Sequence, residues 1–148
     1  MKERFELFTV LITKINRNIK KIKNQEMAEY DLKSPHISCL YYLYSANGLT
    51  ATDLCERCEE DKSTISRALD YLEKKGYIIC ESKFAKRYKS PLIMTEKGKM
   101  IGKRIVEKVD KILEEISTKL TEEERISLYR SLAKISEGLD SIGGKVRI

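Results

Sequence analysis

The sequence predicts a mainly α-helical protein that contains one small β-hairpin. Apolar residues recur at spacings of three and four along most of the 148-residue chain, which is the periodicity of amphipathic helices. The exception is the segment 77–94, where two short strand-like runs flank a basic loop. With 41% hydrophobic residues, a chain of this length can build one compact domain around a buried core.

The first predicted element is a long helix over residues 2–28. Its apolar residues alternate at the spacings of a heptad seam and are Met1, Phe5, Phe8, Ile12, Ile15, Ile19 and Ile22. A second helix is predicted after a break at residues 30–33, with Ser34 as its N-cap and Pro35 at its first position. This helix is expected to end near Gly48, because glycine commonly follows a helix.

Two short helices joined by a tight turn are predicted within residues 49–76. Thr50 and Asp53 have the spacing of a reciprocal cap at the start of the first helix. Asp61 is predicted to cap the second helix, and Gly76 to end it in a left-handed conformation. The joining turn is too short for an antiparallel pair. The geometry is therefore that of a helix-turn-helix, whose second helix enters the major groove of DNA.

The second of these helices carries polar groups on the face opposite its apolar stripe. Considered alone, such a face is typical of any solvated amphipathic helix. In a helix-turn-helix, its hydroxyl groups and guanidinium suit base edges and phosphates. The residues that we predict to contact DNA from this helix are Lys62, Ser63, Thr64, Ser66 and Arg67.

A β-hairpin is predicted directly after the helix-turn-helix. Residues 77–82 and 91–94 are strand-like, and the loop 83–90 has four basic residues and no acidic residue. A hairpin in this position makes a winged helix. The residues predicted to contact the minor groove and its phosphates are Lys83, Lys86, Arg87 and Lys89.

Two more helices complete the chain. Thr95 is predicted to cap a helix over residues 96–120, and Thr121 with Glu124 forms a capping box for a last helix that ends near residue 142. The terminal helices carry apolar stripes that a monomer would not easily bury, which favours a homodimer. We therefore assign residues 1–33 and 99–148 to a dimerisation region, and residues 34–98 to a winged helix-turn-helix lobe.

The run LTATDLCERCEEDKSTISRALDYLEKKGYI, followed by Met94-Thr95-Glu96-Lys97-Gly98, resembles the MarR family of bacterial winged helix-turn-helix transcriptional regulators. The resemblance implies a homodimer that binds double-stranded DNA at a pseudo-palindromic operator, most often as a repressor. It also implies a small aromatic effector, for which the expected pocket consists of Tyr30, His36, Cys39 and Tyr42.

This sequence departs from the family pattern at two places. Ala85 and Lys86 stand where the family's wing usually carries an acidic residue before its basic pair. Glu59 and Glu60 occupy the turn, where a small and an apolar residue are more usual. The second departure leaves acidic charge beside the DNA-facing helix.

Composition agrees with a nucleic-acid partner. The formal net charge is +6, from 29 basic and 23 acidic residues, so the surface is mixed with basic regions. The sequence has no apolar run of membrane-spanning length, and the start MKERFELF lacks the apolar stretch of a signal peptide, so we expect no membrane partner and a cytoplasmic protein. Four cysteines in that compartment are expected to be reduced thiols.

Other functions have less support in the sequence. A zinc site would need a second ligand pair beside Cys55 and Cys58, and a single histidine excludes a histidine-rich site, so we expect no metal or cofactor. The chain has no phosphate-binding glycine loop and no histidine-based nucleophile, which argues against an enzyme. Three alternatives stay open: a thiol-based redox-sensing regulator, a thiol oxidoreductase that uses Cys55 and Cys58, and a coiled-coil interaction protein.

Overall fold

Six α-helices, one short 3₁₀ helix and a two-stranded hairpin make up the part of the chain that the structure, a computed structural model, describes: residues 2–58, 60–81 and 89–144. The elements are α1 (Lys2–Glu26), the 3₁₀ helix (Ala28–Tyr30), α2 (Ser34–Ser45), α3 (Ala51–Cys58), α4 (Lys62–Lys74), β1 (Ile78–Ile79), β2 (Ile93–Met94), α5 (Glu96–Ser117) and α6 (Glu122–Gly143). The prediction of a mainly helical protein with a small hairpin is confirmed.

The chain forms two compact units, Met1–Lys108 and Val109–Ile148, whose boundary lies within α5. The first unit contains the helix-turn-helix and the hairpin, and the second contains α6. The predicted division by role, into a dimerisation region and a DNA-binding lobe, stays a prediction, because compactness does not test which helices bind a second copy.

The core of the first unit lies where α2, α3 and α4 pack against one another. The predicted apolar stripe of α4 is buried there, with Ile65, Leu69 and Leu72 fully inaccessible to solvent. Leu40 of α2 and Leu54 of α3 complete the contact and are equally buried. Each such side chain contributes roughly 1.5–3 kcal/mol when it leaves water, so this three-helix contact fixes α4 firmly.

The predicted caps of the helix-turn-helix are confirmed. At the start of α3, the amide of Thr50 donates to Asp53 Oδ2 at 2.8 Å, and the amide of Asp53 donates to Thr50 Oγ1 at 3.2 Å. At the start of α4, Asp61 Oδ1 accepts from the amide of Thr64 at 2.7 Å. Gly76 ends α4 with a φ of +80°. These local rules place both helices correctly because they depend on residues only three positions apart.

The predicted start and end of α2 need correction. Its N-cap is Lys33 rather than Ser34, and the helix ends at Ser45, before the predicted end near Gly48. His36 Nδ1 accepts from the amide of Lys33 at 3.0 Å, while the amide of Ser34 donates to Asn24 Oδ1 at 2.8 Å. Ser34 is therefore buried as the first helical residue, because a side chain of α1 takes its amide proton.

The hairpin strands are shorter than predicted. Ile78 pairs with Met94 and Ile79 with Ile93 in an antiparallel register. The first strand stops there because the next amide, that of Cys80, donates to Glu73 Oε2 at 3.1 Å instead of to a strand. On the other side Pro91 has no amide proton, and the rest of the predicted first strand, Ser82, lies outside the described residues.

The start of α5 is attached to the turn that follows α4. Thr95 Oγ1 donates to the carbonyl of Gly76 at 2.6 Å and accepts from the amide of Gly98 at 3.0 Å. Gly98 lies so close to this turn that an added Cβ would stand 2.0 Å from the carbonyl oxygen of Tyr77. Helix α5 thus begins as Thr95 predicts, although it ends at Ser117 rather than near residue 120.

Two long side chains of α5 reach the end of α1 and the 3₁₀ helix. Arg104 Nη1 donates to the hydroxyl of Tyr30 at 2.6 Å, and Lys108 Nζ donates to the carbonyl of Glu26 at 2.7 Å. In the second unit, the predicted capping box of α6 is confirmed: the Glu124 amide donates to Thr121 Oγ1 at 3.2 Å, and the Thr121 amide to Glu124 Oε2 at 2.9 Å.

Candidate nucleic-acid interface

The N-terminal turns of α4 present polar side chains outward. Lys62, Ser63 and Arg67 are exposed, and Thr64 and Ser66 are half-exposed, whereas Ile65 between them is fully buried. All five residues predicted to contact DNA from this helix are therefore accessible. The arrangement follows directly from the helical period, since the buried stripe fixes which side faces solvent.

The N-cap carboxylate determines which hydrogen bonds this face offers. Ser63 Oγ donates to Asp61 Oδ1 at 2.8 Å, in addition to the capping bond from the amide of Thr64. The amide of Thr64 and the hydroxyl of Ser63 hold the pKa of the Asp61 carboxyl below its usual range, and the charge of Arg67 acts in the same direction. With its proton committed to Asp61, the Ser63 hydroxyl presents lone pairs, which suit a base amino group better than a phosphate.

The middle of α4 is held by a contact with the loop between the 3₁₀ helix and α2. The hydroxyl of Tyr71 donates to the backbone carbonyl of Asp31 and lies 3.0 Å from Asp31 Oδ2. His36 stacks on the Tyr71 ring, with centroids 4.2 Å apart and an interplanar angle of 16°. Lys75 Nζ lies 3.9 Å from Asp31 Oδ2 on the other side. This contact sets the angle at which α4 leaves the lobe.

The sequence did not predict this anchor. Asp31 has a φ of +56°, the left-handed conformation that aspartate adopts more readily than most residues. That preference is the one feature by which the sequence could have indicated it. Its partner Tyr71 is 40 residues away, and no local pattern connects the two.

The wing supplies the second predicted set of contacts. Lys89 is exposed in a turn before β2. The other three predicted wing residues, Lys83, Lys86 and Arg87, lie outside the described residues. The base of the wing is fixed at two points: the Leu92 amide donates to the carbonyl of Leu49 at 2.9 Å, and the Thr95 amide to the carbonyl of Tyr77 at 3.1 Å.

A comparison with protein-family models matches residues 30–87 to the model described as MarR family. The match spans the helix-turn-helix, the anchor at Asp31 and most of the wing loop. Residues 30–87 belong to the MarR family. No curated protein sequence matches the chain.

Solved structures of MarR-family regulators share the fold over nearly the whole chain. NMB1585 from Neisseria meningitidis has a TM-score of 0.80 at 19% identity and covers 96% of this chain and 97% of its own. Staphylococcus aureus MepR bound to DNA has a TM-score of 0.77 at 23% identity, covering 89% and 96%. S. aureus MarR in complex with salicylate and kanamycin has a TM-score of 0.79 at 18% identity, covering 95% and 94%. The chain thus has the winged-helix fold of MarR-family transcription regulators.

The four residues predicted to form an effector pocket in this MarR-family chain have separate partners. Tyr30 accepts from Arg104, and His36 stacks on Tyr71. The Tyr42 ring lies 5.9 Å from Arg57 Cζ and edge-to-face with Tyr41. Cys39 is fully buried. A cavity of about 370 Å³ lies elsewhere, between the end of α2, β2 and the first turns of α5, and none of the four lines it. It is lined by Leu43, Tyr44, Ala46, Asn47, Gly48, Pro91, Leu92, Ile93, Met94 and Lys99.

The thiols of this MarR-family chain are arranged differently from the C-x-x-C pattern. All four are reduced; Cys39 is buried, and the other three are half-buried. Cys58 forms a hydrogen bond with Cys39 of α2. Burial, foremost, raises the pKa of the Cys55 thiol.

Two further findings concern the described residues. They hold no group of three or more His, Cys, Asp or Glu side chains arranged to bind a metal ion. Among the helices described here, none combines the length and the apolar character that crossing a membrane requires.

Proposed function

We propose that this protein is a sequence-specific transcriptional regulator that binds a pseudo-palindromic operator as a homodimer and acts as a repressor. The observation that carries the proposal is the accessible face of α4, from Lys62 to Arg67, on a helix buried and capped as a reading helix requires. The fold likeness to the DNA complex of MepR supports it. A two-fold dimer would place its two α4 helices on half-sites roughly 10 bp apart, or a multiple of that.

The reading helix and the wing have different roles in this proposal. Arg67 lies two turns into α4, and its planar guanidinium suits guanine O6 and N7. Ser63, which presents lone pairs, suits the amino group of adenine or cytosine. The wing lysines and Arg87 suit phosphates and a narrow minor groove, where charge matters more than sequence.

The test begins with selection of bound fragments from random DNA, which yields the operator and its half-site spacing. Binding of Arg67→Ala and Lys86→Ala to operator and scrambled DNA is then measured across a salt series. Arg67→Ala should weaken operator binding by about 1–3 kcal/mol and relax the preference at one position of each half-site. Lys86→Ala should weaken both DNAs alike and flatten the log–log salt slope by about 0.9.

Arg125→Ala is the matched control, because it removes the same charge from the exposed first turn of α6. It should leave operator affinity within twofold. If Arg67→Ala weakened both DNAs equally while Lys86→Ala left the salt slope unchanged, the division of roles would be wrong. If no DNA were enriched over background, the proposed function itself would fail.

A small aromatic effector completes the proposal. S. aureus MarR was solved with salicylate. The predicted residues Tyr30, His36, Cys39 and Tyr42 border the helices that carry α4, so a ligand there would act on the anchor at Asp31. Sodium salicylate added during the operator titration, with wild type and with Tyr42→Ala, tests whether a ligand of this class releases DNA through these residues.

A further inference from the structure

Cys39 and Cys58 form a thiol pair that joins two elements of the DNA-binding lobe. Cys39 lies in the middle of α2 with no solvent exposure, and Cys58 is the last residue of α3 and is half-buried. The Cys39 thiol donates a hydrogen bond to the Cys58 sulfur. One sulfur is therefore accessible to a small reactant from solvent, and the other is in contact with it from behind.

The surroundings of the pair favour a thiolate on Cys58. The hydrogen bond from Cys39 lowers the pKa of Cys58, and the nearby Lys23 ammonium acts in the same direction, whereas burial and the carboxylate of Glu60 oppose it. Lys23 Nζ is held there by donating to Ser38 Oγ at 2.9 Å, beside Cys39 on α2. The same hydrogen bond, foremost, and then burial, raise the pKa of Cys39, which stays a thiol.

We propose that Cys58 is an oxidation site for small hydroperoxides and that Cys39 resolves it to an intramolecular disulfide. The Cys58 thiolate attacks the distal oxygen of ROOH, the O–O bond breaks, and RO⁻ leaves and takes a proton to become ROH. Cys58 is then a sulfenic acid. The Cys39 sulfur next attacks the Cys58 sulfur, the S–O bond breaks, and hydroxide leaves with the Cys39 proton as water. Two sulfurs lose one electron each, and the hydroperoxide gains both.

The disulfide has a consequence for the reading helix, and this consequence rests on the proposed function. An S–S bond is about 2.0 Å long, much shorter than a hydrogen-bonded contact between sulfurs, so α2 and the end of α3 must approach each other. Cys58 is three residues before Asp61, the N-cap of α4. The oxidised protein should therefore hold the start of α4 in a different position and bind its operator more weakly.

Cys55 does not take this role. It lies on the same helix as Cys58, and burial raises its pKa, so it is the weaker nucleophile. Cys55→Ser and Cys80→Ser are consequently matched controls, since each removes one thiol of the same lobe and leaves the Cys39–Cys58 pair intact.

The first experiment measures the chemistry without DNA. The reduced full-length protein is treated with hydrogen peroxide near stoichiometry, and non-reducing peptide mapping locates the bonds. Wild type, Cys55→Ser and Cys80→Ser should each lose two hydrogens and yield the Cys39–Cys58 peptide. Cys39→Ser should instead accumulate sulfenic and sulfinic acid at Cys58. A Cys55–Cys58 bond, a bond between chains, or no loss of thiol would overturn the proposal.

A rate measurement separates a positioning role of Lys23 from a structural one. Alkylation of Cys58 by iodoacetamide is followed against pH in wild type and Lys23→Gln. The half-maximal pH should be higher in Lys23→Gln, because the thiolate loses a neighbouring positive charge. An unchanged profile would remove Lys23 from the site.

The second experiment measures operator affinity of the reduced, oxidised and re-reduced protein. Oxidation should weaken binding at least tenfold, dithiothreitol should restore it, and Cys58→Ser should show no change with peroxide. A disulfide that forms without altering affinity would overturn the regulatory consequence. If the reduced protein bound no selected DNA, the proposed function would fail, and the peptide map would still decide the oxidation site.

Discussion

His36 is the only histidine of the sequence, and its imidazole is held on two sides. The ring stacks on Tyr71, and Nδ1 accepts from the amide of Lys33. Burial, foremost, and the charge of Lys33 lower the pKa of His36 below its usual 6.5, while Asp31 opposes them. The sequence predicted a capping or partly buried histidine near the start of α2, and both features are confirmed.

A pH dependence of stability follows from this shift. The folded state binds the His36 proton less tightly than the unfolded state, so the contribution is fully present above pH 6.5, the unfolded value, and is lost as the pH falls through the lower folded value. His36→Phe keeps an aromatic ring against Tyr71 and binds no proton. The free energy of unfolding of wild type should drop more than that of His36→Phe between pH about 7.5 and about 5. An NMR titration that placed the His36 pKa at or above 6.5 would contradict this account.

At the scale of single elements, the start of α5 depends on the absence of a side chain at Gly98. An added Cβ would lie 2.0 Å from the carbonyl oxygen of Tyr77 and 2.9 Å from its carbon, and backbone atoms in a packed turn do not move aside easily. Gly98→Ala should therefore lower the free energy of unfolding by about 1–3 kcal/mol, measured by urea denaturation.

Gly138→Ala in α6 is the control for this prediction. Nothing in the chain lies within 4 Å of the added methyl, and alanine is the better helix former, so this change should stabilise by about 0.5–1 kcal/mol. If Gly98→Ala unfolded at the same urea concentration as wild type, the close approach of α5 to Tyr77 would be wrong.

Elements whose ends depend on near neighbours were predictable from the sequence. The caps at Asp61 and Thr121 and the buried stripe of α4 each follow from spacings of three or four residues. The start of α2 was wrong by one residue because Asn24, ten positions earlier, takes the amide of Ser34. The first strand was too long because Glu73 takes the amide of Cys80.

The candidate site divides in the same way. The exposed residues of α4 were predictable, because a helical period determines both its faces at once. The anchor of Tyr71 on Asp31 and the contact of Cys39 with Cys58 were not, because each joins residues that only the packed fold brings together. The C-x-x-C pattern drew attention to Cys55, whereas packing selects Cys39.

At the scale of the whole molecule, the apolar surface of the terminal helices has to be explained. On α1, Leu7 and Val10 are 60% and 61% exposed. On α6, which belongs to the second compact unit, Leu139 and Ile142 are 59% and 60% exposed. Contiguous apolar surface of this kind marks an interaction site in soluble proteins, and the proposed occupant is a second copy of the chain.

A charge introduced into the α6 stripe tests this dimer. Leu139→Glu places a carboxylate where the proposed interface is apolar, and glutamate has nearly the helix propensity of leucine, so α6 itself should persist. We expect wild type to sediment as a dimer, and Leu139→Glu to shift toward monomer and lose at least tenfold in operator affinity, because one half-site alone then contributes. Ser141→Glu adds the same charge about half a turn away, at an exposed polar position of α6, and should remain dimeric. A folded wild-type monomer at concentrations that saturate the operator, or a Leu139→Glu variant that dimerises and binds normally, would show that the stripe serves another partner.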